Sequence, residues 1–189
     1  MPSPIRAATH SPTVPRLREQ AISICFSSGN AQDFSMSPHG HLAHVPSYQD
    51  NPIVFFTMCT HRRKAILASP VCHAILHEIW QRSATLDGWW IGHYILMPDH
   101  VHFFARPEIG ARPTPQWVQM WKGVSSRKII KALSARAPIW QADYFDRYLR
   151  STESYSEKWD YVEQNAVRAG LVERTEDWPY RGIIHNLML

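Results

Sequence analysis

The chain has 189 residues, of which 44% are hydrophobic and 19% are charged, so most of it can bury the core of one compact domain. No stretch approaches the ~18 consecutive apolar residues of a membrane helix, which predicts no membrane span. The three cysteines are scattered without a C-x-x-C pair, which excludes a disulfide framework or a cysteine zinc finger and suits a reducing compartment. The net charge of +4 is compatible with a nucleic-acid partner.

The composition changes near residue 47. Residues 1–47 hold six prolines and eight serines, with Phe26 and Phe34 as their only aromatic residues. Proline and serine interrupt regular elements, and few apolar side chains are present to offset the entropy cost of ordering. This composition predicts a flexible extension or an incorrectly assigned start codon, and it places the folded domain in residues 48–189.

The first half of this domain has the signals of a strand, a helix and a hairpin. Residues 53–60 are β-branched and aromatic, which indicates a strand. Ser69-Pro70 supplies an N-cap and a first-turn proline for a helix that continues to about residue 86. After Asp87-Gly88, residues 89–96 and 100–106 indicate two strands joined by a short turn.

The second half adds helix, strand and helix. Thr114-Pro115 repeats the cap signal and opens a helix to about residue 133, and residues 139–149 contain a strand. Thr152 or Ser154 caps a last helix, which Gly170 closes as the residue after its C-cap. The first six elements predict an α+β fold, the ferredoxin-like β-α-β-β-α-β sandwich, followed by a C-terminal helix. Such a sheet buries one face under two helices and leaves the other for a site.

Basic charge is concentrated in residues 111–150, which carry eight basic and two acidic residues. Aromatic residues are interleaved with them: Trp117, Trp121, Trp140, Tyr144 and Phe145. This composition is typical of a surface that binds phosphates and stacks bases. A solvated helix whose tryptophans lie in the core explains it equally well.

His100-Val101-His102 is the first group of chemical interest. On a strand, alternate residues share a face, so the two imidazoles point to the same side and can bind one metal ion. Val101 points the other way, toward the helices. H-x-H pairs also arise by chance in a histidine-rich chain, and His39-Gly40-His41 is another example. Two ordinary surface histidines therefore remain an alternative.

Tyr161 lies outside the apolar stripe of the last predicted helix. At about 100° per residue, the apolar stripe of that helix comprises Tyr155, Trp159, Val162, Ala166 and Ala169. Tyr161 lies about 120° from the centre of that stripe, on an arc shared with Lys158, Asn165 and Arg168. A phenol needs nearby cations or a metal to become a nucleophile. An amphipathic tyrosine at the rim of the core is the alternative.

These motifs resemble a known family. Residues 97–102 read M-P-D-H-V-H, which resembles the P-D/E-H-x-H segment of single-tyrosine HUH transposases. Residues 144–150 and 161–172, the latter reading Y-V-E-Q-N-A-V-R-A-G-L-V, resemble the C-terminal block of REP-associated tyrosine transposases. The resemblance covers roughly residues 50–182 in one order. The family usually has Asn-Pro where this chain has Asn165-Ala166.

The resemblance implies a metal-dependent strand transferase. Tyr161 would be the nucleophile that forms a 5′-phosphotyrosine, and His100, His102 and Asn165 would bind Mg²⁺ or Mn²⁺. The partner would be single-stranded DNA flanking a hairpin, near REP-like elements. The protein would be a monomer or homodimer in the cytoplasm of a bacterium, associated with the nucleoid. A mobile-element role and a domesticated host role both remain open.

Basic side chains around this predicted site are candidates for DNA contact, and each is also explained as an ordinary surface charge. They are Arg62, Arg63, Arg127, Lys128, Arg147, Arg150 and Arg168. Two other functions remain in view. One is a non-catalytic ferredoxin-like module that only binds nucleic acid. The other is a phosphodiesterase that uses water, in which Tyr161 is structural.

Overall fold

A computed structural model describes residues 52–149 and 152–187, without the side chains of residues 152–154. The predicted extension, residues 1–47, and Arg150 therefore lie outside the described residues. The elements, in chain order, are β1 (Val54–Cys59), α1 (Pro70–Asp87), β2 (Trp89–Leu96), β3 (His100–Pro107), α2 (Thr114–Leu133), β4 (Phe145–Tyr148), α3 (Thr152–Glu163), α4 (Asn165–Arg168) and β5 (Arg181–Ile183). No helix in the described part of the chain is long and apolar enough to span a bilayer.

The strands form one antiparallel sheet in the order β4-β1-β3-β2-β5. The first four strands and the helices α1 and α2 give the predicted ferredoxin-like α+β sandwich. β5 was not predicted; it adds three residues to the free edge of β2, with Tyr94 opposite Gly182. Within the described residues the sheet has five strands, and β3 lies at its centre.

Local sequence explains most helix boundaries. Ser69 Oγ accepts a hydrogen bond from the Cys72 amide at 3.3 Å, and Gly88 closes α1 with a left-handed φ of 73°. The predicted cap at Thr114 is wrong by one position. Pro113 is the N-cap residue, and no side chain caps this end of α2. The fixed φ of proline at the start of the helix still favours initiation there.

One face of the sheet is covered by α1 and α2. Val101 and Phe103 point toward these helices, as predicted, and pack among large aromatic residues. Trp80, Trp117 and Trp121 are fully buried there, and Trp140 is 6% exposed. The interpretation of the tryptophans as core residues is therefore correct, and they are not available to stack bases.

The opposite face is partly covered as well, which the sequence did not predict. Phe55, Ile95 and Phe104 pack there against Tyr155 and Val162 of α3. Trp178 and Leu187, from the C-terminal segment, complete this second core. The predicted apolar stripe of the last helix is confirmed, because its members pack in this cluster. Only part of the face is left for a site.

The last helix is interrupted, whereas the sequence predicted one helix to Gly170. α3 ends at Glu163, and Gln164 separates it from the single turn of α4. The carbonyl oxygen of Tyr161, beside this break, accepts a hydrogen bond from Arg168 Nη2 at 2.7 Å. Gly170 has a φ of 66° and ends the helical region, as predicted. The break lies between Tyr161 and Asn165.

Candidate active site

The histidine pair lies at the start of the central strand. His100 and His102 share the face opposite α1 and α2, and their ring centroids are 4.8 Å apart. On the neighbouring strand β1, Cys59 is opposite His100 and Thr57 is opposite His102. Because directly paired residues of an antiparallel ladder share a face, all four side chains belong to one patch. The predicted convergence of the imidazoles is present.

His100 is hydrogen-bonded to Asp99, which in turn forms an ion pair with Arg63. The Nδ1 atom of His100 lies 2.7 Å from Asp99 Oδ1, and the Nε atom of Arg63 lies 2.8 Å from Asp99 Oδ2. Burial opposes ionisation of this carboxyl, but the hydrogen bond and charge of His100, together with the Arg63 guanidinium, keep the pKa of Asp99 below its usual value. Asp99 is therefore a carboxylate at neutral pH.

His102 is buried and stays neutral. Its Nδ1 atom lies 2.8 Å from Thr57 Oγ1, and its ring stacks on Phe55 with centroids 5.4 Å apart. Burial lowers the pKa of His102 well below its usual value, and electrostatic interactions with neighbouring groups lower it further. These groups are His100, Lys158, Arg63 and Arg168. Neutral imidazole is the form that binds a metal ion.

Tyr161 lies beside this patch. Its side chain is 42% exposed, and the Arg168 guanidinium lies 4.2 Å from the centre of its ring. The Lys158 Nζ atom is 5.3 Å from the Tyr161 ring and 5.0 Å from the Phe55 ring. Since Phe55 also stacks on His102, the contacts run from the imidazole through Phe55 and Lys158 to the phenol. The cations of the predicted arc are placed as expected.

Asn165 accepts a very short hydrogen bond at its side-chain oxygen from Arg168 Nη2. The same guanidinium therefore bonds the Tyr161 carbonyl, covers the Tyr161 ring and occupies the amide oxygen that would bind a metal. For Asn165 to act as a ligand, its oxygen has to share its lone pairs between Arg168 and the metal ion, or the Arg168 side chain has to turn away.

The donor set fits a divalent ion. Both imidazoles use Nδ1 for hydrogen bonds within the protein, which leaves the Nε2 atoms for a metal. The part of the chain that the structure describes contains no group of three or more His, Cys, Asp or Glu side chains placed to hold a metal. The third ligand that the resemblance implies is the amide oxygen of Asn165, which bonds Arg168 in this structure.

The residues predicted to bind DNA are divided between the two faces. Arg62 and Arg63 form the turn after β1, both with left-handed φ angles, of 53° and 54°. Arg147 is exposed on β4, opposite Phe55, and therefore belongs to the histidine face. Arg168 covers Tyr161. Arg63, Arg147 and Arg168 therefore lie on the side of the candidate site, and Arg62 is exposed in the adjoining turn.

Arg127 and Lys128 are not brought to this site. They lie on α2, whose buried residues pack on the other face of the sheet. Lys128 Nζ forms an ion pair with Glu78 at 2.5 Å, whereas Arg127 is exposed. Their high local charge in the sequence reflects a solvated helix surface. Arg150 lies outside the described residues.

Two contacts at the site were missed in the sequence. Thr57 bonds His102, and Arg63 acts on Asp99 as well as facing solvent. Alternation along β1 places Thr57 on the same face as Phe55, but only the register between β1 and β3 reveals its partner. The three-residue spacing between Thr60 and Arg63 gave no indication of the turn that brings the guanidinium back to the histidines.

Comparison with known proteins identifies the family. Residues 50–165 match the family model described as transposase IS200 like. The chain belongs to the IS200-like transposase family. It is also 25% identical over 131 residues to the REP-associated tyrosine transposase of Escherichia coli (strain K12), over 67% of this chain and 73% of that protein.

A solved structure shares the fold. A REP-associated tyrosine transposase bound to a REP hairpin superposes with a TM-score of 0.59 at 20% identity, covering 75% of this chain and 82% of that one. A putative transposase from Deinococcus radiodurans R1 gives a TM-score of 0.46 at 21% identity, covering 65% and 97%. The IS200-like family is generally one of HUH tyrosine nucleases with a divalent metal, and the His-x-His pair and Tyr161 of this chain suit that chemistry.

Proposed function

We propose that the protein cleaves and rejoins single-stranded DNA next to a hairpin, through a 5′-phosphotyrosine on Tyr161. The observation that carries the proposal is the continuous contact from His102 through Phe55 and Lys158 to Tyr161. These contacts support a site in which the exposed phenol of Tyr161 acts beside the two imidazoles of one sheet face. The family assignment supports the same chemistry.

The covalent step is an exchange of esters. The Tyr161 phenolate oxygen attacks the scissile phosphorus in line, and the bond from phosphorus to the 3′-oxygen breaks. The released oxygen takes a proton and becomes a 3′-hydroxyl, while the 5′-phosphate stays on the tyrosine. Because a phenolate is a good leaving group, another 3′-hydroxyl can attack this ester and rejoin a strand.

Three side chains would hold the divalent ion: His100 and His102 through Nε2, and Asn165 through its amide oxygen. Bound there, Mg²⁺ or Mn²⁺ would polarise a phosphate oxygen and neutralise developing charge. Imidazole ligands suit Mn²⁺ better than Mg²⁺, so Mn²⁺ should support activity at least as well. Lys158 and Arg168 contribute fixed positive charge beside the phenol ring.

The DNA partner is proposed to be a single strand with an adjacent hairpin. The E. coli relative is a REP-associated transposase, and the solved structure with the same fold carries a REP hairpin. Arg62, Arg63, Arg147 and Arg168 are proposed to contact the phosphates of the DNA, and the positions of Arg63, Arg147 and Arg168 on the histidine side support this. We propose the protein as a monomer or homodimer, acting in the bacterial cytoplasm at the nucleoid.

Covalent capture tests the proposal. The full-length protein is incubated with Mn²⁺ and a labelled hairpin that carries a single-stranded flank, and products are separated on a denaturing gel. Wild type should give a protein–DNA adduct, and Tyr161→Phe should give none. Tyr155→Phe is the matched control on the same helix, because Tyr155 is buried and bonds His93 Nδ1. It should form the adduct.

Other outcomes identify the alternatives. Equal adduct in wild type and Tyr161→Phe would reject the assigned nucleophile. Cleavage without adduct that survives Tyr161→Phe but is lost in His102→Ala would show a phosphodiesterase that uses water. Binding that chelation does not change, with no cleavage in any sample, would show a module that only binds nucleic acid.

A further inference from the structure

Asp99 sits between a histidine and an arginine, and both of its oxygens are occupied. Oδ1 lies 2.7 Å from His100 Nδ1, and Oδ2 lies 2.8 Å from Arg63 Nε. Both oxygens of this carboxylate therefore have partners within the protein, and one partner is the Nδ1 atom of a proposed ligand. Asp99 is thus placed to orient His100.

The guanidinium of Arg63 is itself fixed from several sides. Its Nη1 atom donates to Cys59 Sγ at 2.7 Å, and Nη2 lies 3.5 Å from His100 Nδ1. The 2.7 Å bond to Asp99 is the shorter of the two contacts of His100 Nδ1, which makes Nδ1 the protonated nitrogen and a donor to the carboxylate. Nε2 then carries the lone pair.

The backbone that presents Arg63 is strained. Arg62 and Arg63 both have left-handed φ angles, of 53° and 54°, which side chains with a Cβ seldom adopt. Such conformations persist where surrounding contacts fix them, and they concentrate at functional sites. Here the turn directs Arg63 back over β1 toward Asp99, so the strain coincides with the contact to the histidine.

We propose that Arg63 and Asp99 are positioning residues that fix the orientation and tautomer of His100 for metal binding. This inference rests on the proposed function, because it assumes that His100 is a ligand. Hydrogen-bonded partners of this kind orient a ligating imidazole and raise its basicity, and their loss typically weakens metal binding about 10–100-fold. Arg63 thus has a role that is independent of DNA.

The tautomer of His100 can be measured without any metal. Long-range ¹H–¹⁵N NMR spectra of the full-length protein distinguish a protonated Nδ1 from a protonated Nε2. Wild type should show His100 protonated at Nδ1, and Asp99→Ala should shift the population toward Nε2. A wild-type His100 protonated at Nε2 would overturn the inference, whatever the variants do.

Calorimetric titration with Mn²⁺, in the absence of DNA, measures the consequence. Asp99→Ala should weaken binding about 10–100-fold, and Arg63→Gln should weaken it in the same direction. Asp99→Asn keeps an acceptor oxygen for Nδ1–H and should lie between wild type and Asp99→Ala. Wild-type affinity in a folded Asp99→Ala protein would contradict the proposal. Wild-type affinity in Arg63→Gln would contradict the proposal that Arg63 positions His100. DNA contact would then be its remaining proposed role.

A matched ion pair at the other end of the sheet serves as control. Arg112 Nε lies 2.8 Å from Asp87 Oδ1, the same kind of pair at the same distance. Arg112→Gln should leave the Mn²⁺ affinity unchanged. His100→Ala and His102→Ala distinguish a failure of the proposed metal site from a failure of the proposed positioning role. If they bind Mn²⁺ normally, the proposed metal site fails; if they do not, and Asp99→Ala binds normally, only the positioning role fails.

Discussion

The face of the sheet under α1 and α2 and the opposite face are filled by different kinds of side chain. Under the two helices lie stacked and tilted aromatic rings, such as Trp89 on Trp117 with centroids 4.3 Å apart. The buried indole nitrogens of Trp80 and Trp121 have no hydrogen-bond partner among the described residues. That face is built by packing alone at these positions.

The opposite face combines a smaller core with a polar patch. Phe55 belongs to both, since it packs in the second core and also stacks on His102 and contacts Lys158. Asp99 and Thr57 are hydrogen-bond partners of the Nδ1 atoms of His100 and His102. The comparison teaches that the polar side chains of the proposed site are confined to one face. Truncating the core under α1 and α2 and removing groups of the polar patch should therefore fail in different assays.

Trp80→Ala should produce the largest effect on stability. The residue is fully buried, and truncating a buried tryptophan costs about 3–5 kcal/mol of the free energy of unfolding. Tyr161→Phe, on the other face and 42% exposed, should change it by no more than about 0.5 kcal/mol. Urea denaturation measures both. Similar losses of unfolding free energy in the two variants would contradict this difference between the two faces.

Metal binding should stabilise the protein through the polar patch alone. At 100 times its dissociation constant, Mn²⁺ should raise the free energy of unfolding by about 2.7 kcal/mol, because it binds the folded state only. Removing one ligand in His102→Ala should abolish this gain, and chelation should reverse it in wild type. Thermal denaturation with and without Mn²⁺ provides the measurement, and an equal gain in His102→Ala would contradict the assigned ligand.

Lys122 connects α2 to the segment that precedes β4, and its replacement should have an intermediate effect. Its Nζ atom donates to the carbonyl oxygens of Gln141, Ala142 and Asp143, at 3.0, 3.2 and 3.1 Å. Lys122→Met should cost about 1–3 kcal/mol, because these acceptors lose their donor. Lys131→Met, exposed on the same helix, is the control for lost charge. Equal stability of the two variants in urea would argue against the interaction.

The smallest expected effect concerns the salt dependence of DNA binding. If Arg147 contacts one phosphate of a single strand, Arg147→Gln should reduce the slope of log affinity against log salt by about 0.7. Arg82→Gln removes an exposed arginine from α1 and should leave the slope unchanged. Equal slopes for Arg147→Gln and wild type, from fluorescence anisotropy over several salt concentrations, would remove Arg147 from the interface.

Local patterns in the sequence determine much of this fold. Ser69-Pro70 and Gly88 mark the ends of α1, and alternation in β3 sets which residues face the helices. Helical periodicity places Tyr161 outside the apolar stripe. These features depend on residues close in sequence, so they can be predicted from a single chain.

Features that depend on distant contacts could not be predicted. β5 has three residues and forms only because the edge of β2 is available. The break at Gln164 follows no glycine or proline, and position 166 is alanine. Likewise, the partners of the histidines depend on the register of β1 against β3 and on a strained turn at Arg62.

The interruption at Gln164 separates the two proposed catalytic side chains without separating their support. Tyr161 lies in α3 and Asn165 in the single turn of α4. Because Val162 of α3 and Ala166 of α4 pack in the same second core, that core holds the phenol and the amide at one spacing.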